Sequence, residues 1–127
     1  QVEFISVPSI SEKISLNFSG KSLDLEVKKT NLFSRFFGLM FRSSGTESLL
    51  FDFERDCRIK IHSLFVFFPF LIIWLNEENK VVGHEIVKPF RFSVSSRKKF
   101  RKFVEVPINR KNQRILDFFD DNWERFK

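Results

Sequence analysis

The sequence predicts a single mainly-β domain, a small sandwich or open barrel carrying a short helix near residues 31–37 and a C-terminal helix near residues 111–125. Three observations carry this. Apolar residues alternate with polar ones at 14–18 and again at 23–27, the period of a strand with one buried face. The apolar run 64–75, LFVFFPFLIIWL, is far shorter than the roughly 20 residues a membrane-spanning helix needs. The chain also contains no Ala, the strongest helix former, which weighs against a helical bundle.

Taken in order, Ile14, Leu16 and Phe18 alternate with polar residues, Ser19, Gly20 and Lys21 supply turn chemistry, and Leu23, Leu25 and Val27 alternate again. This is a β-hairpin pattern. Thr30 or Asn31 suits the cap of a short helix bearing Leu32, Phe33, Phe36 and Phe37, with Gly38 at its end. Ser43, Ser44 and Gly45 form a loop, residues 47–53 read as a strand, and the charged stretch 54–58 reads as the next turn. Ile59 and Ile61 alternate before His62.

Residues 70–75 are apolar throughout, as in a strand buried on both faces, and Pro69 marks its start because proline cannot donate to a ladder. NEENK, residues 76–80, is then a hairpin loop returning through Val81, Val82, Glu85, Ile86 and Val87, with Gly83 suited to a bulge. Phe103, Val104 and Val106 suggest a last strand closed by Pro107. Beyond it the period changes. Ile115, Leu116, Phe118, Phe119, Trp123 and Phe126 lie largely on one helical face, expected to dock on the sheet or to swap onto a second subunit. The predicted core is Leu25, Leu39, Met40, Leu50, Phe65, Ile72, Trp74, Val82, Ile86 and Val104.

With 127 residues the chain is one domain, 1–127, large enough to build a core without metal or disulfide staples. Hydrophobic residues at 43% against 30% charged exclude disorder as the overall state. The single cysteine, Cys57, excludes an intramolecular disulfide and a multi-thiolate zinc cluster. The chain opens on Gln1, as a processed or trimmed start would. It is expected to be soluble as given, and extracytoplasmic if a signal or anchor has been removed.

The net charge of +6 favours anionic partners: protein, nucleic acid or polymer. The candidate anion-binding residues are Lys88, Arg91, Arg97, Lys98, Lys99, Arg101, Lys102, Arg110 and Lys111, with Arg114 beyond them and Phe100 interleaved as a possible base-stacking ring. A solvated loop or a lysine-protected edge strand has the same sequence signature, and no nucleic-acid-binding motif accompanies the charge. The 19 Phe and absent Tyr fit core packing as well as stacking.

Catalytic chemistry has little footing. Cys57 lacks a nucleophile signature, although an enzyme would be conceivable were Cys57, His62 and His84 to converge. His62 and His84, with Asp52 or Asp56, lack metal-ligand spacing. Neither phosphate-cradling glycine motif is present, and the adjacent acids Glu77 with Glu78 and Asp120 with Asp121 are poor acid/base pairs. No catalytic residue, metal or cofactor is expected. The leading expectation is a non-catalytic binding or accessory domain, followed by an anion- or nucleic-acid-binding module and then an enzyme of unknown reaction.

Several motifs point the same way. LEVKKTNLFSRF runs into GLMFR (Gly38, Leu39, Met40, Phe41, Arg42), followed by LLFDF, IHSLFVFFPF with His62 and Pro69, and KFVEVP with Glu105. Over residues 23–107 the chain thereby resembles the domain-of-unknown-function family 192, whose pattern includes R-G-L-M-[FY]-R and a final strand ending near L-E-[LV]-P. Residues 108–127 depart from it as a helical extension. The resemblance implies a jelly-roll-like β-sandwich and no established activity. In one branch, I-H-T-F-F-M-R-F-P-I-D stands where this chain has Phe67 for the Arg and Leu71 for the Asp, so any family site using those charges is expected to be lost here. Arg42 and Glu105 are expected to pair at the helix exit.

Overall fold

The computed structural model describes residues 10–29, 48–57, 68–89 and 94–126. The expected short helix, GLMFR, His62, Arg91 and the core candidates Leu39, Met40 and Phe65 lie outside them.

Among the described residues, six strands form one mixed sheet: β1 (Ile10–Phe18), β2 (Lys21–Lys29), β3 (Leu49–Cys57), β4 (Phe70–Leu75), β5 (Val81–Val87) and β6 (Phe100–Pro107), in the order β1-β2-β3-β6-β4-β5. β2 and β3 run parallel and the other named pairs antiparallel. The β1–β2 turn places Ser19 at φ 52° and Gly20 at φ 78°. Two successive left-handed residues are what a two-residue hairpin needs for its twist to match the strands.

The sheet curls until its outer strands meet. Asn17 bridges Lys80, and the Asn17 N–H donates to the Asn79 carbonyl at 2.9 Å. The architecture is a half-barrel, the open-barrel alternative of the sequence reading. Inside the curl lie Ile14, Leu16, Leu23, Leu25, Val27, Leu50, Leu71, Ile73, Leu75, Val104 and Val106. On the other face of β3, β6, β4 and β5 lies a second, aromatic-rich layer: Leu49, Phe51, Phe70, Ile72, Trp74, Phe100 and Phe103. Phe51 and Phe103 stack there at 4.6 Å between centroids. All six residues of β4 are buried because β4 separates the two layers. The corresponding face of β1–β2 carries exposed Lys13, Ser15, Asp24 and Glu26, so the hairpin alternates where β4 does not.

Several expectations need correction. The charged stretch 54–58 is not a turn, since β3 continues to Cys57 with an irregularity between Asp52 and Cys57 in its pairing with β6. The β5 bulge falls between Val81 and Gly83, one residue before the expected glycine. Gly83 instead seats the Trp74 indole: a Cβ there would lie 3.3 Å from Cε3. Val82 and Ile86 are half-buried rather than fully buried, because β5 is an outermost strand.

The C-terminal helix is also interrupted. A 3₁₀ turn, Arg110–Asn112, leads into α1 (Gln113–Phe119), Asp120 is extended, and a second 3₁₀ turn covers Trp123–Phe126. The break is held by local bonds: Asp120 N–H to the Leu116 carbonyl at 2.8 Å, and Asn122 N–H to Asp120 Oδ1 at 2.9 Å. Even so, Ile115, Leu116 and Trp123 join the inner layer, with Phe118, Phe119 and Phe126 packed against it.

Candidate functional site

β6 distributes the basic residues along its length. Arg97, Lys98 and Lys99 are exposed on the turn before it, where Ser96 Oγ accepts from the Lys98 N–H at 3.2 Å. Phe100, the candidate stacking ring, is fully buried in the outer layer beside Trp74 and Phe103, because the strand begins there and turns that side chain inward. Arg101 pairs with Glu77 at 3.1 Å, and Lys102 Nζ donates to Asn79 Oδ1 at 2.6 Å. Both tie β6 to the 76–80 turn.

Arg110 and Lys111 follow the far end of β6, where Lys88 also leaves β5, because Phe70 is opposite both Val87 and Pro107. At about 3.3 Å per residue, Phe100 and Pro107 are roughly 23 Å apart. The basic set is therefore split between two ends of the sheet. Arg114 lies on α1 and donates to the Asp24 carbonyl.

Cys57 and His84 stand on opposite faces. Cys57 is opposite Phe100 and packs against the outer layer. His84 is opposite Ile73 of the inner layer, and its imidazole lies 5.1 Å from both the Phe18 and Phe119 rings. His84 is exposed on this outermost strand; partial desolvation beside the two rings lowers its pKa, and the nearby Asp120 carboxylate opposes that shift. Asp120 in turn pairs with Arg125 at 3.2 Å. Among the described residues, no cluster of three His, Cys, Asp or Glu side chains is placed to hold a metal ion.

Two features escaped the sequence reading. The first is a row of carboxylates on the outer face: Glu105 and Glu85 lie on either side of Ile72 in register, and Glu105 is only 5% exposed. The signal was present, since Val104 and Val106 face inward and must turn Glu105 to the layer that the unbroken β4 run shows to be buried. One row along, the buried Trp74 indole N–H has no acceptor among the described residues. The second is a cleft of about 440 Å³ lined by Lys13, Ile14, Ser15, Asp24, Leu25, Glu26 and Arg114. No local pattern announces it, because α1 supplies one wall.

Comparisons with known proteins agree with this architecture. Residues 14–117 match the model of DUF192, described as an uncharacterized ACR, a span wider at both ends than 23–107. A UPF0127 protein of Pyrococcus furiosus is 37% identical over 81 residues, 61% of this chain and 69% of that protein. A crystal structure from Sinorhizobium meliloti 1021, of a candidate transcription regulator, superposes with a TM-score of 0.71 at 20% identity, covering 87% of this chain and 89% of that one. A protein of unknown function from Novosphingobium aromaticivorans gives 0.64 at 10% identity, covering 91% of each chain. At such identities these two structures bear on fold alone. No helix of the described residues is long and apolar enough to cross a membrane.

Proposed function

The chain belongs to the uncharacterised DUF192 family, and from that premise we propose that it is a non-catalytic binding domain. The observation that carries the proposal is the mixed-charge cleft between the β1–β2 hairpin and α1. Its lining joins apolar Ile14 and Leu25 to the cations Lys13 and Arg114 and the carboxylates Asp24 and Glu26. An apolar surface with a few polar groups of both kinds is the common form of a recognition site. The opposed placement of Cys57 and His84 supports the non-catalytic part, because a nucleophile and its base need hydrogen-bond proximity. Two ion pairs among the described residues serve as structural ties: Arg101 with Glu77, and Arg125 with Asp120.

The test is an NMR screen of short peptides and zwitterionic small molecules, run beside a general hydrolase and oxidoreductase substrate screen. Binding should shift the amide resonances of residues 13–15, 24–26 and 114, and weaken in Arg114→Ala. Turnover abolished by Cys57→Ala or His84→Ala, with folding preserved, would reverse the reading.

A second reading, anion binding, is favoured by the three consecutive exposed cations Arg97, Lys98 and Lys99. It is confined to that turn, since among the described candidates Arg101 and Lys102 tie β6 to the 76–80 turn and Lys88, Arg110 and Lys111 lie at the far end of the sheet.

A further inference from the structure

We propose that the cleft takes an extended peptide, which adds as a further strand to the open edge of β1 and offers a Lys or Arg to Glu12. The proposal rests on the binding reading of that cleft and names its occupant. Lys13 and Ser15 belong both to the cleft lining and to the edge.

The hairpin register shows which backbone groups face that edge. Phe18 and Lys21 close the two-residue turn, so they form a hydrogen-bonded pair, and such pairs alternate along an antiparallel ladder. Ile10, Glu12, Ile14, Leu16 and Phe18 therefore bond to β2, while Ser11, Lys13, Ser15 and Asn17 turn their backbone groups outward. Two bonds confirm the phase. Asn17 N–H donates to the Asn79 carbonyl, and on the other side of the hairpin Lys28, opposite Ser11, donates its N–H to the Ser48 carbonyl, both at 2.9 Å.

The 76–80 turn thus bonds to the edge only at Asn17. From there β1 runs on to Ser11, about 20 Å away at roughly 3.3 Å per residue. Among the described residues no strand lies beside this stretch, and the outward N–H and C=O groups of Ser11, Lys13 and Ser15 have no partner. An open row of this kind is a template for an added strand.

The inner side of β1 adds selectivity. Alternation with Ile14 and Leu16 of the inner layer turns Glu12 to the same side, where its Oε1 is buried without a hydrogen-bond partner among the described residues. Buried acceptors are ordinarily satisfied. In an added strand the residue opposite Glu12 has its Cβ about 4.5–5.5 Å away, so a Lys or Arg there reaches the carboxylate. A second copy of β1 does not meet this need, because its inner-facing residues are Ile10, Glu12, Ile14, Leu16 and Phe18, with no cation among them.

The test uses the full chain and the capped pentapeptide VTKTV, whose lysine and valines share one face of a strand. It is titrated to about 5 mM, since a few main-chain bonds give weak affinity. Binding should bring hydrogen-exchange protection to the amides of Ser11, Lys13 and Ser15 and add none at Glu12 and Ile14, which already bond to β2. VTETV should bind more weakly. Glu12→Gln should weaken VTKTV by up to about fivefold and leave VTQTV unchanged; if that variant does not fold, the comparison of VTKTV with VTETV decides the charge preference. Of two peptides N-methylated on alternate residues, only the one whose bonded nitrogens are blocked should lose affinity, by about tenfold. Equal loss in both, or no alternating protection, would overturn strand addition. Shifts at residues 24–26 and 114 without that protection, from these peptides or from zwitterionic small molecules, would leave the cleft reading standing, whereas a cleft that binds nothing would end both. Alternating protection that appears without peptide and rises with protein concentration would place a second copy on the edge and also overturn the proposal.

Discussion

The backbone N–H of Asn17 donates to the carbonyl of Asn79 across 2.9 Å, joining the end of β1 to the turn that leads into β5. These two strands stand at opposite ends of the sheet order, so this contact turns a curved sheet into a half-barrel. Its acceptor is held by the turn around it. Asn79 has φ 62°, its N–H donates to the Asn76 carbonyl at 3.0 Å, and its side chain accepts from Lys102.

The Asn76 side chain is expected to matter most in that turn. Its Oδ1 accepts from the N–H groups of Glu78 and Lys80, both at 2.9 Å. Asn76→Ala should cost about 1–2 kcal/mol, read as a lower urea midpoint at unchanged slope. Asn76→Asp, which keeps the acceptor, should recover most of the loss.

Leu116 is 1% exposed and belongs to the inner layer. Leu116→Ala should destabilise by about 2–5 kcal/mol through lost burial and the cavity left behind. Truncation after Pro107 removes Ile115, Leu116 and Trp123 together and should lower the melting temperature further. An undiminished melting temperature in the truncated chain would show that the segment is dispensable.

Asn112 joins three parts of the chain. It is buried, its Nδ2 donates to the Pro107 carbonyl at 2.9 Å, and its Oδ1 accepts from Ser48 Oγ at 3.4 Å. Asn112→Leu should cost about 1–3 kcal/mol by stranding those partners. Thermal unfolding compared with Ser48→Ala and the double variant should show non-additivity, since the two side chains share a bond.

If the chain binds a polyanion through residues 97–99, its salt dependence should be shallow. Three contacts at about 0.7–0.9 log units each give a slope near 2 to 3. Gln at Arg97, Lys98 and Lys99 should abolish it, while Gln at Arg110 and Lys111 should leave it unchanged. Titration of a single-stranded oligonucleotide at two salt concentrations measures both.

Local sequence determined whatever depends on neighbours a few residues away. The alternation through Leu16 and Leu23 specified a hairpin with one wet face, the unbroken run of β4 specified a strand buried on both, and NEENK specified the turn between β4 and β5. The apolar period from Ile115 to Phe126 identified a segment that docks, and GLMFR with KFVEVP pointed to the family. That period did not reveal the break at Asp120, because a 3₁₀ turn returns Trp123 to the same face that a continuous helix would use.

Tertiary structure decided what depends on strand order and on contacts distant in sequence. The basic residues 97–102 and 110–111 came to lie at opposite ends of one strand because a strand extends about 3.3 Å per residue and carries its ends apart. Cys57 and His84 fell on opposite faces because each takes its side from the register with Phe100 and Ile73, which no local pattern encodes. His84 acquired Phe18 and Phe119 only when the curl of the sheet and the return of α1 brought three remote segments to one seam.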